Sequence, residues 1–291
     1  MVRWIAGVVA AMAIGGCAGA GTGADAPVPV DERARQILEL YDEAARAGGD
    51  RPRLVPAEPL TGYVGGIEQR HEAYQNGIAA GRLEAADGLL PRGASTGSVK
   101  WKSGETLTVP LVGAAEALDQ VNAEGDESEC PECVAVPVSG ARLTTAEIAT
   151  SRGSAVVPVW EFSLDDSAFR VTRVAVAPGG TVRYTPPPGS SGTPTAESAT
   201  LAGDVLTVTF VGAEGPASVA CGADYSARTV ESPNAVVVVI SQKKHNRGFE
   251  SCDAVGYTRT AAVELGAPLA GRAVLDVEYG TPVPLKEGAT R

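Results

Sequence analysis

The sequence predicts an α+β protein, mainly antiparallel β, with an N-terminal helix ahead of two β-rich lobes. Three observations carry this. Residues 31–47 hold a sustained helical period. Beyond residue 123, short apolar runs with alternating polar residues recur between turn-forming clusters. Residues 185–198, TPPPGSSGTPTAES, interrupt those runs and mark an internal boundary.

In the helix, Ala34, Ile37, Leu38, Tyr41, Ala44 and Ala45 fall on one face. Asp31 is its expected N-cap and Gly48-Gly49 its stop. Residues 51–60 contain three prolines and should be extended. A short helix is expected over 67–74 and a strand over 78–86. Strands at 98–101 and 106–111 flank the turn Lys102-Ser103-Gly104-Glu105, and 114–123 is a short helix. Strands at 134–150 and 155–164 flank Ser151-Arg152-Gly153, a second hairpin. Further strands follow at 171–177, 205–211, 218–230, 235–241, 257–265 and 273–279. The lobes then span 31–184 and 199–291, joined by the linker 185–198. Successive strands with short connections suggest antiparallel sheets.

With 291 residues, 44% of them hydrophobic, the chain has ample material for a core. The net charge of −11 argues against nucleic acid as a partner. Arginine outnumbers lysine, 19 to 5, and with abundant Ala, Gly and Val this points to a GC-rich genome.

At the N-terminus, Arg3 precedes an uncharged apolar stretch, Trp4 to Gly16. That stretch is shorter than the roughly 20 residues of a spanning helix and has the length of a signal-peptide core. It ends in Ile14-Gly15-Gly16-Cys17, which resembles the lipobox of bacterial lipoproteins. The resemblance implies lipid transfer to Cys17, removal of residues 1–16, and a membrane partner reached through that anchor. Residues 17–30 would then be a flexible tether, rich in Gly and small residues. The stretches ARLTTAEIATSRGSAVVPVWEF, ESPNAVVVVI and AAVELGAPLAGRAVLD resemble a group of actinobacterial lipoproteins without assigned activity. They imply no reaction.

Five cysteines are an awkward number for an exported chain. Assigning Cys17 to lipid leaves Cys130, Cys133, Cys221 and Cys252, which allow three pairings. The two local pairs, Cys130–Cys133 and Cys221–Cys252, are favoured. Two alternatives stand beside them: a redox-active Cys130-Pro131-Glu132-Cys133, and a four-cysteine zinc site. The run after Cys133 reads as a strand, whereas a reactive CxxC opens a helix.

Signals for catalysis are sparse. His71 and His245 are the only histidines and lack HxH or HExxH spacing. Gly189-Ser190-Ser191-Gly192 does not have the GxSxG spacing of a nucleophile elbow. No phosphate-binding GxxxxGK[ST] or GxGxxG follows a strand. The acidic run 124–132 lacks the alternating ligands and central Gly of a calcium loop, and reads as solvated. Trp160 and Phe162 share a strand face with Val156, Pro158 and Leu164, the alternation of a buried face. Pro158 suggests that this strand lies at a sheet edge, making Pro158 and Trp160 the candidate interaction edge for a partner strand. No catalytic residue, metal ligand or cofactor is expected. The reading is a membrane-anchored binding or scaffold module with an unidentified envelope protein or ligand. The alternatives are an envelope hydrolase with a carboxylate-based site and a solute-binding lipoprotein.

Overall fold

The computed structural model describes residues 29–49, 51–66, 72–126, 130, 132–245, 252 and 255–286. The expected signal segment, Cys17, most of the expected tether and His71 lie outside the described residues. The expected fold class holds: the chain is β-rich, with three α-helices among the described residues.

Helix α1 (Val30–Ala47) starts one residue before Asp31, with Pro29 at the N-cap. Asp31 sits in the first turn instead, where its charge favours the helix N-terminus, and it pairs with Arg228. The buried face is Arg33, Ala34, Ile37, Leu38 and Tyr41.

The first lobe contains β1 (Thr61–Val64), α2 (Glu72–Ala79), β2 (Leu83–Ala85), β3 (Ser95–Trp101), β4 (Thr106–Leu111), α3 (Ala114–Asn122), β5 (Val136–Thr150), β6 (Gly153–Leu164) and β7 (Arg170–Val174). Its seven strands run β1-β7-β6-β3-β4, with β5 on the other side of β6 and β2 beside β5. The β5–β6 hairpin is the long arm of the sheet. Phe162 and Leu164 of β6 face the core under α3, whereas Ala155, Val157 and Val159 face the core containing Trp101 and Leu54. The expected helix over 67–74 lies partly outside the described residues, and α2 runs on to Ala79. That shortens the strand expected over 78–86 to β2.

Pro158 does not mark an edge. On one side β6 pairs with β5 along its length; on the other it pairs with β3 at residues 155–156 and with β7 from Val159 onward. Pro158 lies where the neighbour changes from β3 to β7, so its missing N–H breaks no ladder there. Its carbonyl accepts from Ala175 N–H at 2.9 Å. The Pro158–Trp160 interaction edge is therefore withdrawn. Trp160 is half-buried and donates its indole N–H to the Val112 carbonyl at 2.9 Å.

The second lobe contains β8 (Ala196–Ala202), β9 (Val205–Gly212), β10 (Ala223–Glu231), β11 (Ala235–Lys244), β12 (Tyr257–Glu264), β13 (Ala273–Asp276) and β14 (Leu285–Lys286). They form a four-stranded sheet, β12-β9-β8-β14, and a three-stranded sheet, β10-β11-β13. Strand β10 starts later than expected because residues 216–222 form turns, and β13 stops at Asp276 because 277–279 turn. The run Ala235 to Ile240 is apolar without alternation because both faces of β11 are covered. Val236, Val238 and Ile240 face the four-stranded sheet, and Ala235, Val237 and Val239 face α1.

This last contact redraws the expected lobes. Helix α1 precedes the first lobe in sequence but packs on β10 and β11 of the second. The chain then crosses to the first lobe through residues 51–57 and returns through 180–195. The crossings are joined: Leu54 N–H donates to Gly180 O, and Val182 N–H to Leu54 O, both at 2.9 Å. Nor is 185–198 a free linker, since its last residues enter β8 and those before them are tied down by Arg33 and Glu278.

Candidate functional site

The four cysteines in the described residues form Cys130–Cys133 and Cys221–Cys252, the two local pairs. Cys133 N–H closes a tight turn on the Cys130 carbonyl, and the chain leads into β5 rather than a helix. Cys221 adopts a left-handed backbone, φ 58°, in the turn before β10. His245 closes the same turn region through Nδ1 and the Ala217 carbonyl, 2.7 Å apart.

Glu124, the first residue of the acidic run, has protein partners rather than solvent alone. Glu124 accepts from the fully buried Arg173 at 2.6 Å and from Thr61 at 2.8 Å. Burial alone would raise its pKa, but these hydrogen bonds and the charges of Arg173 and Arg183 hold it below the usual value. Among the described residues no His, Cys, Asp and Glu side chains gather as metal ligands.

The charge of Glu278 acts on Asp276, and both carboxylates are occupied. Asp276 accepts from Ala196 N–H and Tyr279 N–H, each at 2.9 Å. Burial, with a smaller push from Glu278, still raises its pKa. Glu278 gathers the 190–193 loop: Ser190 and Ser191 hydroxyls and the Ser191 and Thr193 N–H groups all donate to its carboxylate. Burial works against that charge, and the donors outweigh it, so its pKa lies below the ordinary glutamate value. Four oxygens committed to holding backbone and loop leave no acid–base pair here. Ser190 and Ser191, which lack nucleophile-elbow spacing, are structural donors.

Arg33 completes this hub from the other side. It is 1% exposed, and its guanidinium donates to the carbonyls of Val277, Glu278, Pro187 and Pro188 at 2.8–3.2 Å. It thereby ties α1, the turn after β13 and the 185–198 segment together.

Two concavities stand out beyond the hub. A groove of about 800 Å³ lies beside Cys221–Cys252 and is rimmed by exposed Val211, Val219, Val255 and Tyr257. A cleft of about 470 Å³ opens between α1, the 51–55 crossing, the β5–β6 turn and the turn before β13. It gathers Arg46, Arg51, Arg53, Arg152 and Arg272, with no acidic side chain in its lining among the described residues. Each local fold presents one of these groups. Arg53 donates to the Ala44 carbonyl at 2.9 Å, capping the C-terminal end of α1. Arg152 occupies the tip of the β5–β6 hairpin, and Arg272 follows the left-handed pair Ala270 and Gly271. Sequence reasoning missed this cluster. Its only local trace is arginine beside glycine or proline at three turns, Arg51-Pro52-Arg53, Arg152-Gly153 and Gly271-Arg272. Convergence of those turns is a tertiary event.

Among the described residues no helix is long and apolar enough to cross a membrane. No protein-family model, curated protein or solved structure matches this chain.

Proposed function

We propose that this chain is an extracytoplasmic bacterial lipoprotein, anchored through Cys17, whose folded part is a non-catalytic binding or scaffold module. The observation that carries the reading is the cysteine usage. The described residues hold two disulfides, and the only cysteine left over is Cys17, at the end of a lipobox-like stretch. Disulfides of this kind persist outside the reducing cytoplasm. A lipidated Cys17 would sit 13 residues before Val30, where α1 begins. The Asp276 and Glu278 carboxylates are committed to structure, which favours binding over hydrolysis at that place.

The test is metabolic labelling with a fatty acid, followed by membrane fractionation. Labelled, membrane-bound protein is expected from the natural sequence, and unlabelled protein from Cys17→Ala. Label persisting in Cys17→Ala, or missing from both, overturns the anchor.

A further inference from the structure

We infer that the arginine-lined cleft between α1 and the turn before β13 binds a small anion carrying phosphate groups, whether or not Cys17 bears lipid. The cleft runs against the character of the chain. Overall charge is −11, yet five guanidinium groups from four separate segments line one cleft, with no lining carboxylate among the described residues. Positive charges that face one cleft repel one another, and an anion bound among them relieves that repulsion.

Two of the five are held from behind. Arg152 pairs with Glu105 at 2.8 Å, and its guanidinium lies 4.8 Å from the Trp101 ring centroid. Arg272 pairs with Glu231 at 2.6 Å and also donates to the Pro268 carbonyl at 3.1 Å. Glu105 and Glu231 both stand outside the cleft lining, so these pairs orient the guanidinium groups without filling the cleft. The other three, Arg46, Arg51 and Arg53, have no acidic side chain within ion-pair distance among the described residues. Asp42, one turn before Arg46, accepts instead from Ser232 and Asn234 at 2.9 and 3.0 Å. Asp50 is outside the described residues. Buried Tyr41 and Val55 contribute apolar wall.

Guanidinium groups approaching from several directions match an oxyanion with several acceptor oxygens and more than one charge, which is the chemistry of phosphate. The net charge of −11 disfavours long polyanions, and the cleft volume suits a small molecule or a single headgroup.

The full chain is titrated calorimetrically with pyrophosphate at low ionic strength, alone and with phosphatidylglycerol vesicles present. Pyrophosphate is expected to bind, more weakly as salt is added. Arg46 and Arg51 are exposed, so the doubly substituted Arg46→Ala, Arg51→Ala chain should keep its melting temperature and lose affinity about tenfold. Arg142→Ala, which alters an exposed Arg142–Glu161 pair on the β5–β6 hairpin, should leave binding unchanged. Competition from vesicles assigns the phosphate to a lipid headgroup, and its absence to a soluble molecule. No pyrophosphate binding at millimolar concentration, or equal losses in the double variant and Arg142→Ala, overturns the site.

Discussion

Leu54 and Val55 are neighbours in the chain and lie in different cores. Leu54 is fully buried with Val99, Trp101 and Val157 of the first lobe, and Val55 is buried with α1 and the outer face of β11. The segment that carries them is hydrogen-bonded to the returning crossing at Gly180 and Val182. Two lobes joined this way share their boundary, and each crossing residue reports on one side of it.

Unfolding should therefore be a single transition. Trp101 and Trp160 both belong to the first lobe and serve as its fluorescence probes. Val55→Ala removes packing from the second lobe and should lower stability by about 2 kcal/mol. Its fluorescence and circular-dichroism midpoints in urea are expected to fall together. A fluorescence midpoint left at the wild-type value while dichroism shifts would show that the lobes unfold independently.

Arg33→Ala should be among the most damaging single changes. It strands four carbonyls that now accept from a buried guanidinium, and the expected loss is about 3–5 kcal/mol. Arg33→Lys should recover little of this, because one ammonium cannot span the carbonyls of Val277 and Pro188 in the plane a guanidinium offers. Urea denaturation of both variants gives the comparison, and near-wild-type stability of Arg33→Lys would contradict it.

Acid should destabilise the 190–193 loop and the Arg173–Glu124 and Arg272–Glu231 pairs. Glu278, Glu124 and Glu231 each have a folded pKa below the ordinary 4.5. A depressed carboxyl gives stability that is complete above its unfolded pKa and is lost as pH falls through the folded value. The raised pKa of Asp276 works oppositely, gaining stability as pH falls. Exposed Glu147, held down by its hydrogen bonds to Lys102 and Ser154, adds to the lowered group. With lowered carboxyls outnumbering the raised one, melting temperature should drop on going from pH 6 into the range below 4.5. Glu278→Gln should melt lower at pH 6 and show a shallower drop. An unchanged pH slope in that variant would remove Glu278 from the account.

The two disulfides should differ in weight. Cys221–Cys252 closes a separation of 31 residues, and on loop-entropy grounds its loss should cost about 3–4 kcal/mol. Cys130–Cys133 closes a separation of only 3, for which the same argument gives about 1.5 kcal/mol. Denaturation of Cys221→Ser with Cys252→Ser, against Cys130→Ser with Cys133→Ser, tests the order. A larger loss from the second pair would reverse it.

Several elements were legible because their signals are local. The β5–β6 hairpin follows from two alternating runs around Ser151-Arg152-Gly153, and α1 from the spacing of Ala34, Ile37, Leu38 and Tyr41. Strand β8 was obscured because Ala196–Ser198 close a stretch whose composition is that of a linker. The serine hydroxyls and the backbone of that stretch need polar partners, which Glu278 supplies to Ser190 and Ser191 and Arg33 to the carbonyls of Pro187 and Pro188. Pro158 misled for a related reason. A proline needs a place without a ladder partner, and a change of neighbour inside the sheet provides one as well as an edge does.

By itself, then, the sequence determined the fold class, the main hairpin, the first helix and the local pairing of cysteines, since turn chemistry and apolar period act over a few residues. The tertiary structure alone decided that α1 serves the second lobe, that Arg33 reaches a carbonyl 244 positions away, and that five arginines meet in one cleft. Those contacts bring together distant segments whose meeting depends on how completed sheets and helices pack, and no short-range period records it.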